Sequence, residues 1–230
     1  MKYTYQDSNI NWFGAIPNHW KIKKLTELTT FTVGFTPSTS NSSFYGGNHQ
    51  WVTIDDLDNN KILKTKNTLT DLAIERKKDK IAKKGSVLYS FKLSVGKTAF
   101  VETDVYTNEA IAAFHPNTKI DMRFFKYSIS CYLINYAKEN IYGAPLLNST
   151  LIKCSRVLYP PIKEQKVIAD YLDNACMKIE KVIQLKFGTS KVSNSDISNS
   201  QIKILLAYKD SLIYECVTGK KQIYKGTEGE

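Results

Sequence analysis

The 230-residue chain is 42% hydrophobic and 23% charged, and its 32 Lys and Arg against 22 Asp and Glu leave a net charge of +10. That length suits one good core plus an appendage, or two small domains, and the positive excess, nearly all lysine, favours a polyanion such as nucleic acid over a membrane. No apolar run is long enough to span a bilayer, Met1-Lys2-Tyr3-Thr4-Tyr5 begins no signal peptide, and Cys131, Cys154, Cys176 and Cys216 stand too far apart for a zinc site or disulfide frame, so a reducing, cytoplasmic setting is expected.

From Trp20 to about Tyr159 the pattern is mixed and mostly β. Gln50 to Ile54, Ser86 to Ser90 and Lys97 to Val101 are rich in β-branched and aromatic residues and are bounded by Gly, Asn and Asp, as strands should be. Two helices interrupt them. One is expected from Thr70 to Lys83, opening on the capping types Thr70 and Asp71. The other is expected from Asp121 to Glu139, where Met122, Phe125, Ile129, Tyr132, Leu133 and Tyr136 recur at helical spacing.

The character changes at Tyr159-Pro160-Pro161, where the prolines stop a strand and the second can start a helix with Glu164 near its positive end. Ile168, Leu172, Ala175, Ile179, Val182 and Lys186 then step alternately by four and three, a coiled-coil seam. Ile202, Leu205, Leu206, Leu212, Ile213 and Val217 repeat the habit after a Ser/Asn-rich run near 187–200, so two antiparallel helices are expected. They need more apolar cover than they offer each other, so the pair is either a hairpin packed on its own β domain or an arm that also binds a second molecule. The fold class is therefore α+β. A β-rich domain over 1–160 precedes a helical region over 161–223 and a tail over 224–230.

Ser94-Val95-Gly96-Lys97-Thr98 suggests a phosphate loop, but the first glycine of that motif is replaced by Phe91, and both flanks read as strand. A hairpin is expected instead. No catalytic constellation is evident. His19, His49 and His115 are scattered, and the neighbours Asp55 and Asp56 read as a loop pair rather than a metal site. What remains is a set of polar loops on a basic domain: Thr36 to Ser43, Phe91 to Lys97, and Gly143 to Thr150. Lysines and backbone N–H groups hold phosphates, while Asn, Ser, Thr and Lys can read base edges.

The order of residues also resembles a known family. Ile16-Pro17-Asn18-His19-Trp20, Gly85 to Ser90 with Val95-Gly96-Lys97, Thr107-Asn108-Glu109-Ala110, Asn148 to Leu151, Pro160-Pro161-Ile162-Lys163-Glu164-Gln165-Lys166 and Val217-Thr218-Gly219-Lys220 are similar to motifs of the specificity subunit of type I restriction-modification systems. The likeness covers nearly the whole chain and fits one half of such a subunit.

The resemblance implies a DNA target-recognition domain followed by a helical spacer. It implies methyltransferase partners that use S-adenosylmethionine and, where one is present, an endonuclease partner that uses ATP and Mg²⁺. The chain itself would bind no cofactor or metal and carry no catalytic residue. With one recognition domain instead of two, it would pair with a second copy through its helices, at Ile168, Leu172, Ile179, Leu206 and Ile213, and read a bipartite target in double-stranded DNA. Lys92 and Lys97 would hold phosphates. Thr36, Ser38, Thr39, Ser94, Asn108, Tyr142, Asn148, Ser149 and Thr150 are the further candidates for DNA contact, chosen by loop placement. Two other classes remain open: a stand-alone DNA-binding regulator built from the same module, and a nuclease or NTPase in its own right.

Overall fold

Two long amphipathic segments at the C-terminal end become helices, Ile162–Phe187 and Ser200–Val217, as their spacing predicts. A computed structural model of the chain describes residues 3–58, 60–92, 94–139, 143–188 and 200–223. The chain divides into two compact units, one of residues 1–22 with 158–230 and one of residues 23–157. The N-terminal 22 residues therefore group with the helices rather than with the β-rich part assigned to them by the sequence division at 160.

In the first unit Pro161 precedes the 26-residue helix Ile162–Phe187, which ends at Gly188 in the left-handed conformation (φ 68°). Its buried positions are Ile168 and two rows with a seven-residue step, Gln165–Leu172–Ile179 and Ala169–Cys176–Ile183. The second row runs through Cys176 and Ile183 instead of the expected Ala175, Val182 and Lys186; Val182 is exposed. The two helices run antiparallel: Glu180 accepts a 2.7 Å bond from Lys209, and the Lys221 ammonium lies 5.4 Å from the Tyr171 ring centre. Cys216 is buried in this unit, and burial raises its thiol to about 12, so it stays neutral and unreactive.

Three of the quoted motifs converge here. Glu164, in the first helical turn, accepts bonds from Tyr3 Oη, His19 Nε2 (2.8 Å) and Trp20 Nε1 (3.0 Å). Gln165 is fully buried and donates through Nε2 to the Pro160 carbonyl at 2.8 Å. Just past the end of the second helix Gly219 has φ 73°, and a Cβ there would lie 2.5 Å from Pro17 and 3.2 Å from Trp20. Lys220 Nζ donates to the Phe13 carbonyl at 2.8 Å and to the Ala15 carbonyl, and desolvation lowers its pKa. The Ile-Pro-x-x-Trp segment is thus a strap fastened where the first helix begins and the second one ends.

The second unit is built on two sheets. The larger has the order Phe31–Val33, Ile111–Phe114, Val87–Ser90, Thr98–Val101, Lys61–Ile62, antiparallel except for the last pair. Val87–Ser90 and Thr98–Val101 form the expected hairpin, turned by Gly96 (φ 106°), so the Gly-Lys-Thr sequence is no nucleotide cradle. Leu88, Ala99, Val101, Ile111 and Ala113 bury one face with Val52 and Ile62. The smaller sheet has the order Tyr106–Thr107, Tyr45–Val52, Asn67–Leu69.

The helix from Asp121 matches its cap, since Asp121 Oδ1 accepts from the N–H of Arg123 (2.9 Å) and of Phe124 (3.1 Å). It runs Met122–Tyr132 and then tightens to a 3₁₀ turn. The helix expected over 70–83 shortens to Asp71–Ile74, with a separate 3₁₀ turn at Lys78–Lys80. After Ile74 no apolar side chain arrives until Ile81, so nothing anchors further turns to the core.

Candidate nucleic-acid interface

The register of the larger sheet brings four loops to one end. Val33 pairs with Ala112, Ile111 with Ser90, and Tyr89 with Thr98, so the chain leaves or enters the sheet there at 34, 110, 91 and 97. The segment 34–36 is laid directly against 107–111: Phe35 N–H donates to the Thr107 carbonyl (2.8 Å), and Gly34 N–H to the Ile111 carbonyl (3.3 Å). A Cβ on Gly34 would fall 2.0 Å from the Thr107 oxygen, so only glycine allows this approach. Phe91 takes a bond from Leu147 N–H to its carbonyl (3.2 Å) and donates its own N–H to Ala110 (2.9 Å), which draws the 143–148 segment beside the 91–97 turn.

The aromatic side chains beneath are braces rather than contacts. Trp51 Nε1 donates to the Phe35 carbonyl (3.1 Å) and Tyr45 Oη to the Pro37 carbonyl (2.9 Å), fixing the start of the 36–43 loop. Tyr106 packs edge-on against Phe35, with ring centres 5.9 Å apart.

The residues singled out in the sequence fall unequally on this end. Thr36 is exposed and donates its hydroxyl to the Glu109 carboxylate. Ser38 and Thr39 are exposed further along the loop, Ser38 sharing a 2.8 Å bond with Ser40. Lys92 is exposed, 5.7 Å from the Phe91 ring centre, and forms no ion pair among the described residues. Lys97 differs: its ammonium is 2.5 Å from Asp58, so much of its charge is already answered. Ser94 is exposed, and its carbonyl accepts from the buried Ser90 hydroxyl.

Two asparagines are committed locally. Asn108 Oδ1 accepts from Ala110 N–H (3.1 Å), closing the turn before the strand Ile111–Phe114. Asn148 caps the helix Ser149–Cys154 through Leu151 N–H (2.8 Å), with Ser149 and Thr150 in its first turn. Tyr142 lies outside the described residues. Asp56, half of the acidic pair, accepts from Thr53 N–H (2.8 Å) and Oγ1 (3.0 Å), a turn-holding role. Among the described residues no cluster of potential metal ligands occurs, and no helix is long and apolar enough to cross a membrane.

Sequence reasoning missed the run Arg76-Lys77-Lys78. These residues are exposed, and the Lys77 ammonium lies 5.8 Å from the ring centre of Phe35, beside the 36–43 loop. The signal was present as four basic residues within Arg76 to Lys80, but it was absorbed into an expected helix. The whole second unit is basic, with 19 Lys and Arg less 12 Asp and Glu giving +7 of the chain's +10.

In the helical unit Ile168, Leu172 and Ile179 are buried within the chain, while Leu206 and Ile213 are half-buried. Val182, Leu185, Ile204 and Tyr208 are exposed apolar side chains on the same helical pair.

Comparison with known proteins agrees with this architecture. The chain is 26% identical over 165 residues to the MjaIX type I restriction enzyme specificity subunit of Methanocaldococcus jannaschii, covering 69% of this chain and 38% of that protein. Its fold is similar to the HsdS subunit from Thermoanaerobacter tengcongensis, with TM-score 0.59 at 17% identity over 90% of this chain and 46% of that one. A second solved chain, from work on complex assembly and conformational transition of the type I R-M system, gives TM-score 0.60 at 17% identity, covering 90% and 47%. The chain thus spans less than half the length of these relatives. Residues 17–186 match the Type I restriction modification DNA specificity domain, and the chain belongs to that family.

Proposed function

We propose that residues 23–157 dock the four-loop end of their larger sheet on double-stranded DNA and recognise a target sequence for a type I restriction-modification complex. The convergence of these loops on a unit of charge +7 carries this reading. Lys92, Arg76, Lys77 and Lys78 are positioned to meet phosphates. Thr36, Ser38, Thr39 and Ser94 offer short polar groups for base edges, with Asn108 and the Asn148–Thr150 turn shaping the loops. Lys97 contributes less because Asp58 holds it.

The chain works as a non-catalytic, cytoplasmic subunit. Methylation comes from a methyltransferase partner with its S-adenosylmethionine, and any cleavage from an endonuclease partner, where one joins the complex, with ATP and Mg²⁺. Two copies join through the helical pairs to give a bipartite target. Since Ile168, Leu172 and Ile179 are buried within the chain, the surface for that contact is Leu206 and Ile213 with exposed Val182, Leu185, Ile204 and Tyr208.

Methylation mapping of DNA from cells that express this chain with a type I methyltransferase tests the whole reading. A palindromic split motif is expected from a two-fold pair. An asymmetric motif rejects self-pairing, and no chain-dependent motif rejects target recognition. A stoichiometric methyltransferase on purification separates this function from a stand-alone regulator. Lys92→Ala should weaken binding to all duplexes alike and reduce the slope of log K against log salt by about 0.9, as loss of one phosphate contact does. An unchanged slope in a salt titration would remove Lys92 from the interface.

A further inference from the structure

We propose that Glu109 is a specificity-determining residue that accepts a hydrogen bond from the N4 amino group of a cytosine in the major groove. This inference rests on the DNA-binding reading above and names one base contact within it. An exposed carboxylate in the middle of a phosphate-binding surface is otherwise a liability, because like charges within a Debye length repel. Glu109 occupies that place: it sits in the turn 108–110 where the smaller sheet hands the chain to the larger, and it is exposed.

It is also held firmly. Asn108 Oδ1 closes the turn on Ala110 N–H at 3.1 Å, Gly34 packs its backbone on Thr107, and Thr36 donates its hydroxyl to Glu109 Oε2 from 73 residues away. The Thr36 hydroxyl bond, aided by Glu109's own N–H and the nearby Lys92 charge and opposed by partial burial, lowers the carboxyl pKa, so the group is ionised at neutral pH. Such a carboxylate is acceptor-only, with about four lone-pair positions, of which Thr36 and the Glu109 N–H occupy two.

In the major groove the available donors are the amino groups of cytosine and adenine. Adenine presents its amino beside the N7 acceptor, which repels the second carboxylate oxygen. Cytosine has no such acceptor next to N4. Lys92, on the adjoining turn, supplies the positive charge that keeps the carboxylate compatible with the flanking phosphates. A side chain tethered on rigid strand ends discriminates better than one on a loose loop.

The test selects bound duplexes from a randomised library with the full chain and its Glu109→Gln, Glu109→Ala and Thr36→Val variants. The wild type should select a motif with C·G at one position of each half-site. Glu109→Ala should lower discrimination there by roughly 5- to 150-fold, the range of one good base contact, and leave other positions unchanged. Glu109→Gln, which keeps an acceptor for Thr36 and adds donors, should shift that position toward adenine. Thr36→Val should give a smaller loss at the same position. If all variants select the wild-type motif while binding every duplex more tightly, Glu109 merely tempers the surface charge and the proposal is wrong. If the wild type binds duplexes but selects no motif, the proposal also fails. If it binds no duplex at all, the DNA-binding reading falls and takes this contact with it.

Discussion

Gly34→Ala should lower the stability of the β-rich unit by about 3 kcal/mol or more, the upper end of the range for overpacking. The added Cβ would lie 2.0 Å from the Thr107 carbonyl oxygen, 2.2 Å from its hydroxyl oxygen and 2.4 Å from its carbonyl carbon. Two of those three atoms are backbone in the neighbouring strand, so no rotamer change relieves the clash. The bonds from Gly34 N–H to Ile111 and from Phe35 N–H to Thr107 must lengthen or break. In calorimetry of the full chain the melting of this unit should fall by roughly 6–12 °C, taking about 2–4 °C per kcal/mol at this size. Because 34–36 presents Thr36 to Glu109, DNA selectivity should drop even in the fraction that stays folded. A melting temperature within about 2 °C of wild type would mean that 34–36 and 107–111 do not lie in contact.

Glu164→Ala should cost about 3–4 kcal/mol in the other unit. Three donors share this carboxylate, and hydrogen bonds to charged groups are each worth about 1.5–3 kcal/mol without adding fully. Trp20 is buried at 2% exposure, so its Nε1–H would lose its acceptor inside the protein, where no water replaces it readily. Tyr3 and His19 would lose their partners at the surface. Glu164→Gln is the informative control. Tyr3 and Trp20 both donate to Oε1, which a glutamine carbonyl can reproduce, so that variant should lose about 1 kcal/mol. Hydrogen exchange over residues 3–22 should accelerate strongly in the alanine variant and only slightly in the glutamine one. Equal exchange in all three proteins would show that the strap is not tethered through Glu164.

Much of the local structure was legible because it follows from local pattern. Phe91 in place of the first motif glycine and strand-like residues on both sides of Gly96 pointed to a hairpin rather than a phosphate cradle. Asp121 capped its helix, and Pro161 stood at the start of the 26-residue one. The expectation for 70–83 failed because helix-capping types opened a run with no buried side chain between Ile74 and Ile81. The seam drifted to Cys176 and Ile183 because the antiparallel second helix determines which side of the first is covered, and periodicity alone does not.

The candidate site was legible only in pieces. Thr36, Lys92 and Asn108 were chosen for residue type and loop placement, and the fold brings their loops to one end of a sheet. Glu109, which joins two of those loops, carried no sign in the sequence beyond its place in the Thr107-Asn108-Glu109-Ala110 motif. Arg76 to Lys78 were hidden by an expected helix.

By itself the sequence determined most element types, the basic character and the approximate extents of the two long helices, which are sums of short-range preferences, while the order of its motifs carried the likeness to the family. Only the tertiary structure decided that residues 1–22 belong with the helices, that Lys97 is paired with Asp58, and that loops 73 residues apart share one surface. Strand register and helix facing depend on contacts between residues distant in the chain, and those contacts leave no local period to read.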